Sequence, residues 1–156
     1  MFRMSDLTDP AFSVLTDVKF VIWRVQSLKL VPVPEKEWGK FFSGDCYLVF
    51  DDTDDTGGEQ IFFWIGSNSS IDEQAVAAIK AVELDDMLGG RPVQHREVMG
   101  NESISFRMLF PEGIITMKGG VDSGLRQVDR SHEVKLFQVI FQVTGVDTYK
   151  EPGVDN

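Results

Sequence analysis

Oxygen ligands suited to a hard cation are concentrated in one part of this 156-residue sequence. Residues 41–79 contain eight acids and no lysine or arginine: Asp45, Asp51, Asp52, Asp54, Asp55, Glu59, Asp72 and Glu73. Because Ca²⁺ takes roughly six to eight oxygen ligands from carboxylates and carbonyls, this stretch could attract it. The alternative is a solvated acidic face that aids solubility, and composition alone favours that alternative.

A second acidic cluster lies at the end of the clearest predicted helix. Ser70 and Glu73 form a capping box at the start of this helix, and Gly89-Gly90 supplies its stop signal. Its last turns carry Glu83, Asp85 and Asp86. The helix dipole is already negative there, so a bound cation with nearby backbone carbonyls would relieve the conflict. The alternative is a tolerated surface cluster.

The same helix has two unlike faces on a wheel that advances about 100° per residue. One half predicts the core face with Ile71, Ala75, Ala77, Ala78, Ala81, Val82, Leu84 and Leu88. The other half places Val76, Ile79 and Met87 among the carboxylates of Asp72, Glu83 and Asp86. These apolar side chains either lie under a loop or the C-terminal segment, or enter an apolar groove of a partner.

Other chemistries are disfavoured. The segment from Asp52 to Gly57 lacks the acids of an EF-hand at the fifth and twelfth loop positions. Neither His95 nor His132 has a partner at metal or nucleophile spacing, and Cys46 reads as a core residue. Glycine-rich phosphate motifs are absent, and no paired acids indicate general acid–base catalysis. We therefore expect a protein that is not an enzyme.

Composition restricts the partners and the compartment. The formal charge of −10 disfavours binding to nucleic acid. No run approaches the roughly 20 apolar residues of a membrane span. With one cysteine, an internal disulfide is excluded, which is typical of an intracellular protein.

The elements that must position these residues follow from hydrophobic pattern. Strands are predicted at 20–25, 46–50, 61–65, 93–98, 114–117 and 134–143, with a short helix at 102–109. Pro32 and Pro34 predict a loop before Trp38, and residues 1–17 read as a loose arm or an edge segment. Strands separated by one long and one short helix predict an α/β (mixed α+β) domain with helices on the sheet faces.

An ordered set of segments resembles the gelsolin/villin family, in particular the first domain of gelsolin. The segments are Ile22 to Val25, Leu30 to Pro34, Phe42 to Val49, Phe63 to Gly66, Asp72-Glu73, Val82 to Leu88, Val93 to Val98 and Gly119 to Gly124. The resemblance implies a central five-stranded mixed sheet between a long and a short helix. It implies a gelsolin-like domain at 18–125 between an arm at 1–17 and an extension at 126–156. Residues 133–143 resemble the opening strand of a next repeat, in a fragment or in a naturally short protein.

The resemblance also implies calcium-regulated actin binding in the cytoplasm, at the cytoskeleton. An intradomain Ca²⁺ site would use Gly44, Asp45, Glu73 and Val121, with carbonyls from the glycine and the valine. A second Ca²⁺ site, shared with an actin carboxylate, would use Asp85 and the carbonyls of Gly90 and Pro92. Actin contacts would come from Ile79, Glu83, Asp86, Met87 and Leu125. The first hypothesis is monomer sequestration or barbed-end capping, and the alternative is a gelsolin-fold structural domain that does not bind actin.

Two family activities do not carry over. Severing in the family needs side-binding by a second domain, so one domain is not expected to sever filaments. The family's basic phosphoinositide-binding stretch corresponds here to Pro111 to Lys118, where one lysine and one glutamate disfavour phosphoinositide binding.

Overall fold

The computed structural model describes residues 8–53 and 57–120. In chain order the elements are a 3-10 helix Pro10–Thr16, β1 Phe20–Gln26, β2 Lys29–Pro32, a 3-10 helix Glu35–Glu37, β3 Lys40–Phe42, β4 Cys46–Asp51, β5 Gln60–Ile65, α1 Ile71–Met87, β6 Val93–Val98, α2 Ile104–Met108 and β7 Ile115–Met117. Five strands form one sheet in the order β2-β1-β4-β5-β6. The β5–β6 pair is parallel and the other three pairs are antiparallel, which confirms the mixed sheet.

The central strand β4 shows why the sheet is covered on both faces. All six of its residues are buried. Leu48 and Phe50 point into one hydrophobic cluster with Ala77, Ala81 and Leu84 of α1. Alternate residues of the strand, such as Tyr47 and Val49, point into a second cluster on the opposite face. A continuous apolar run therefore correctly predicted burial on both faces.

The second cluster is aromatic and lies under the short helix. Phe106 of α2 packs against Phe41, Phe62 and Phe110, with ring centroids 5.3–5.7 Å apart. The sheet thus lies between α1 and α2, as the resemblance implied.

The edge strand β2 and the pairing of β3 with β7 were not predicted. Pro32 was expected to break the strand but is the last residue of β2. A proline is tolerated there because β2 is an edge strand. The hairpin before it turns at Ser27 and Leu28, which both have positive φ. Strand β7 confirms the strand predicted at 114–117, but its separate parallel pairing with β3 was not predicted.

The α2 helix is shorter than the prediction of 102–109. Its N-cap is Ser103, whose hydroxyl accepts a hydrogen bond from the amide of Phe106 at 3.2 Å. Glu102 is engaged elsewhere, since its carboxylate accepts a bond from the indole N–H of Trp64 at 2.9 Å.

The described part of the N-terminal arm, residues 8–17, is packed against the core rather than loose. Phe12 is buried, and its ring lies edge-on to Trp23 at 5.4 Å. The indole N–H of Trp23 donates to the carbonyl of Ala11 at 3.2 Å. Asp9 forms an ion pair with Lys80 of α1 at 3.0 Å.

Within the described ranges, no helix combines the length and the apolar character that crossing a membrane requires. The predicted strand at 134–143 and the whole extension at 126–156 lie outside the described residues.

Candidate functional site

Two buried carboxylates lie at the starts of β4 and α1. Asp45 lies one residue before β4 and is 0% exposed, and Glu73 lies in the first turn of α1 and is 4% exposed. Burial is the main reason that the pKa of the Cys46 thiol is raised to about 11; hydrogen bonds with Ser69 and Gly66 oppose the rise, and the charges of Glu73 and Asp45 add to it. Both carboxylates are therefore near enough to the same thiol to act on it electrostatically.

The capping box confirms the second role predicted for Glu73. The Ser70 hydroxyl accepts the amide of Glu73 at 3.1 Å, and a Glu73 oxygen accepts the amide of Ser70 at 3.2 Å. This exchange fixes the glutamate at the helix start.

The parallel β3–β7 pair brings a glycine pair against Asp45. The amide of Gly44 donates to the carbonyl of Gly119 at 2.7 Å. A Cβ atom added to Gly120 would lie 2.5 Å from Oδ1 of Asp45, so a side chain there would collide with the carboxylate. Val121 lies outside the described residues, and its carbonyl stays a predicted ligand.

Arg24 of β1 is a member of this site that the sequence reasoning missed. Its Nε donates to Oδ2 of Asp45 at 2.7 Å, and its Nη2 contacts the same oxygen. The guanidinium also lies 4.5 Å from the centre of the Phe42 ring. A signal was available, because an arginine inside a buried-type strand needs a partner for its charge.

The second acidic cluster surrounds the end of α1. Oδ2 of Asp85 accepts a hydrogen bond from the Gln94 amide at 2.8 Å. Oδ1 is buried and has no hydrogen-bond partner among the described residues. Leaving such an atom unsatisfied costs about 1–3 kcal/mol, which makes it a fitting ligand for an incoming cation.

The loop after α1 is folded back on the same aspartate. The amide of Gly90 donates to the backbone carbonyl of Asp85 at 2.9 Å, and Gly89 and Gly90 have φ values of 74° and 75°. Pro92 is buried two residues further on. The structure thus brings Gly90 against Asp85 at the helix end, and the ligand role of Pro92 stays a prediction.

The outward face of α1 carries an apolar stripe formed by Ile71, Ala75, Ile79 and Val82. Exposure is 82% for Ile71, 57% for Ile79 and 49% for Val82, and Ala75 is also exposed. At about 100° per residue, these four positions fall within about 80° of the wheel. The predicted exposure of Ile79 is correct, and the stripe continues from it in both directions along the helix.

The wheel was wrong about the edge of the core face. Ile71, Ala75 and Val82 were assigned to the core and are exposed, whereas Val76 was assigned outward and packs against the core cluster. Apolar residues occupy almost the whole wheel, so hydrophobicity alone could not centre the buried side. The sheet is contacted by small side chains, Ala77 and Ala81, which permit close approach of the helix.

Three other predicted contact residues lie near this stripe, at the C-terminal end of α1. Glu83 forms an ion pair with Lys80 at 2.7 Å, and Asp86 and Met87 are exposed. Leu125 lies outside the described residues. The face that could meet a partner is therefore apolar at its centre and acidic at its C-terminal edge.

The donor sets fit a hard cation only if backbone oxygens take part. Among residues 8–53 and 57–120, no three His, Cys, Asp or Glu side chains cluster in a way that could hold a metal ion. The first site has two carboxylates and the second has one, so carbonyls or a partner must complete both. Such oxygen-only sets suit Ca²⁺ better than a softer metal.

Comparison with known proteins identifies the same repeat. The sequence profile of the gelsolin repeat matches residues 27–107. The chain is 48% identical over 120 residues to villin-2 of Arabidopsis thaliana, a match that covers 74% of this chain and 12% of villin-2. It is 44% identical over 125 residues to actin depolymerising venom protein gelsolin 1 of Platymeris rhadamanthus, covering 76% of this chain and 33% of that protein.

A solved structure is also similar to this chain. Thorarchaeota 2DGel3, crystallised in complex with rabbit actin, matches with a TM-score of 0.53 and 32% identity over 64% of this chain and 46% of that chain. The chain spans between 12% and 33% of the length of the two curated relatives above.

Proposed function

Since this chain belongs to the gelsolin repeat family, we propose that it is an actin-binding module regulated by Ca²⁺, which sequesters actin monomers or caps filament barbed ends. The observation that carries the proposal is the apolar stripe on α1 beside the unsatisfied oxygen of Asp85. One feature supplies apolar contact area, and the other supplies a point for a shared cation. The proposed location is the cytoplasm, at the actin cytoskeleton.

The stripe supports docking of α1 into an apolar groove. Large apolar side chains at positions 71, 79 and 82 project from one face of a 17-residue helix, the spacing with which amphipathic helices enter grooves. Burying an isoleucine fully is worth about 1.5–3 kcal/mol, so a few such residues can supply much of a binding free energy. Met87 extends this surface at the C-terminal end of α1.

The acidic edge supports a requirement for calcium. Glu83, Asp85 and Asp86 would face actin, which the family resemblance describes as acidic, and like charges in contact oppose binding. A cation held by Asp85 with the carbonyls of Gly90 and Pro92 would offset that repulsion. When bound between the two proteins, Ca²⁺ supplies positive charge to an interface that would otherwise be repulsive.

The intradomain site has a different proposed role, which is to stabilise the fold in the presence of Ca²⁺. Its ligands would be the carboxylates of Asp45 and Glu73 with the carbonyls of Gly44 and Val121. These groups connect the start of β4, the first turn of α1 and the segment after β7. We propose no catalytic role and no severing activity for this chain.

A matched pair of variants tests the proposal in actin assembly. Pelleting and pyrene-actin assays are run with Ca²⁺ or with chelator, on the parent and on Ile79→Asp and Ile104→Asp. Ile104 is 78% exposed on α2, across the sheet from the stripe. We expect the parent and Ile104→Asp to inhibit assembly in Ca²⁺, and Ile79→Asp to lose this effect. No effect of the parent in either condition would refute actin binding and favour the structural-domain alternative.

A further inference from the structure

We propose that Arg24 is a positioning residue for calcium: it holds one oxygen of Asp45 so that the other oxygen faces the metal position. This inference rests on the proposed function, because it deepens the intradomain calcium site. Arg24 is positively charged and would repel Ca²⁺, so its presence in a calcium site needs an explanation.

The guanidinium of Arg24 is itself held in one orientation. Arg24 lies opposite Tyr47 in the β1–β4 ladder, which directs both side chains to the same face of the sheet. The ring of Phe42 lies 4.5 Å below the guanidinium carbon. Contact with an aromatic ring suits a planar, weakly hydrated guanidinium and fixes its plane.

The contacts divide the two oxygens of Asp45 between two neighbours. Nε and Nη2 of Arg24 both contact Oδ2. Oδ1 instead faces the backbone of Gly120, where an added Cβ would be only 2.5 Å away. Gly120 directly precedes Val121, whose carbonyl is a predicted ligand.

This division favours positioning over competition. An arginine that competed with the metal would have to leave Asp45 before a cation could bind. A cation held through Oδ1 would leave the bonds between Oδ2 and Arg24 in place. Groups that orient a metal ligand in this way typically change metal affinity by about 10–100-fold when they are removed.

Calcium titration calorimetry on the full chain tests the inference without actin. The variants are Arg24→Gln and Arg24→Lys, made in an Asp85→Ala background so that the second site does not contribute. We expect Arg24→Gln to weaken binding about 10–100-fold. Arg24→Lys keeps the charge but loses the planar fork, so its affinity should be intermediate. If Arg24→Gln binds calcium as tightly as its Asp85→Ala parent, Arg24 only balances the charge of Asp45; if it binds more tightly, Arg24 competes with the metal. Either result would overturn the proposal.

Two further measurements make the outcome decisive. Thermal unfolding in chelator shows whether each variant is folded before titration. If Arg24→Gln does not fold, Arg24→Lys decides the question, and unchanged affinity in that variant overturns the proposal. Glu73→Gln is the reference for the site itself. If its calcium binding is unchanged, the intradomain site is wrong and Arg24 has no metal role; if binding is lost only in Glu73→Gln, the Arg24 inference alone fails.

Discussion

The two acidic sites of this protein, at Asp45 and at Asp85, differ in how deeply the fold encloses their carboxylates. Asp45 is wholly buried, and one of its oxygens is held by Arg24. Asp85 is bonded to Gln94 through one oxygen, while its other oxygen has no hydrogen bond among the described residues. The first carboxylate is enclosed by the fold, whereas the second has an oxygen without a hydrogen bond at the edge of an exposed apolar stripe. The difference separates a site that supports the fold from a site that awaits a partner.

Asp45→Ala should give the largest effect and should act on the fold. It removes the partner of a guanidinium that is only 20% exposed, and breaking such a pair should cost about 2–3 kcal/mol of unfolding free energy. Urea unfolding in Ca²⁺ and in chelator measures this cost, together with the loss of calcium-dependent stabilisation. A variant as stable as the parent in both conditions would remove the contrast between the two sites.

Asp85→Ala should act on binding and leave the fold intact. Its removal takes a negative charge from a helix C-terminus, so the unfolding free energy should be unchanged or higher by up to about 1 kcal/mol. Actin affinity in Ca²⁺ should fall about tenfold or more, which corresponds to at least about 1.4 kcal/mol. Titration calorimetry in Ca²⁺ measures the affinity, and equal affinity of variant and parent would refute the shared site.

Val82→Ala gives the smallest expected effect and tests the corrected helix face. Because Val82 is half exposed, its truncation should change the unfolding free energy by less than about 0.5 kcal/mol. Actin binding should weaken by a few-fold, since the side chain belongs to the stripe. Ala77 and Leu84 mark the buried side of the same helix. A loss of unfolding free energy above about 1 kcal/mol would show that Val82 belongs to the buried face of the helix.

The sequence predicted those parts of the molecule that depend on local patterns. The capping box at Ser70 and the glycine stop after Leu88 are local hydrogen-bonding devices, and both were found where expected. The five-stranded sheet followed from the family resemblance, and β4 from its unbroken apolar run. The capping box, the glycine stop and β4 need no information about distant segments, whereas the five-stranded sheet was implied by the resemblance alone.

Features that depend on pairing between distant segments were missed. Strand β3 is stabilised by pairing with β7, more than 70 residues away in the chain. The ion pair of Arg24 with Asp45 joins β1 to the residue before β4, and the spacing of these residues in the sequence gives no sign of it. The helical wheel wrongly assigned Ile71 and Val82 to the core because α1 has apolar residues on every side. Which side of the helix is buried depends on its packing against the sheet.

The β3–β7 pair determines when the first site can exist. Arg24, Asp45, Glu73 and Gly120 span most of the described chain, and the last of them reaches its place through a strand close to the end of that chain. Closing such long loops is entropically costly until the sheet is complete, so no partly folded segment can contain the whole ligand set. Calcium bound there would stabilise only the complete native state, by an amount that grows with its free concentration. Amide protons across the whole sheet, rather than those near the ligands alone, should therefore exchange more slowly when calcium is added.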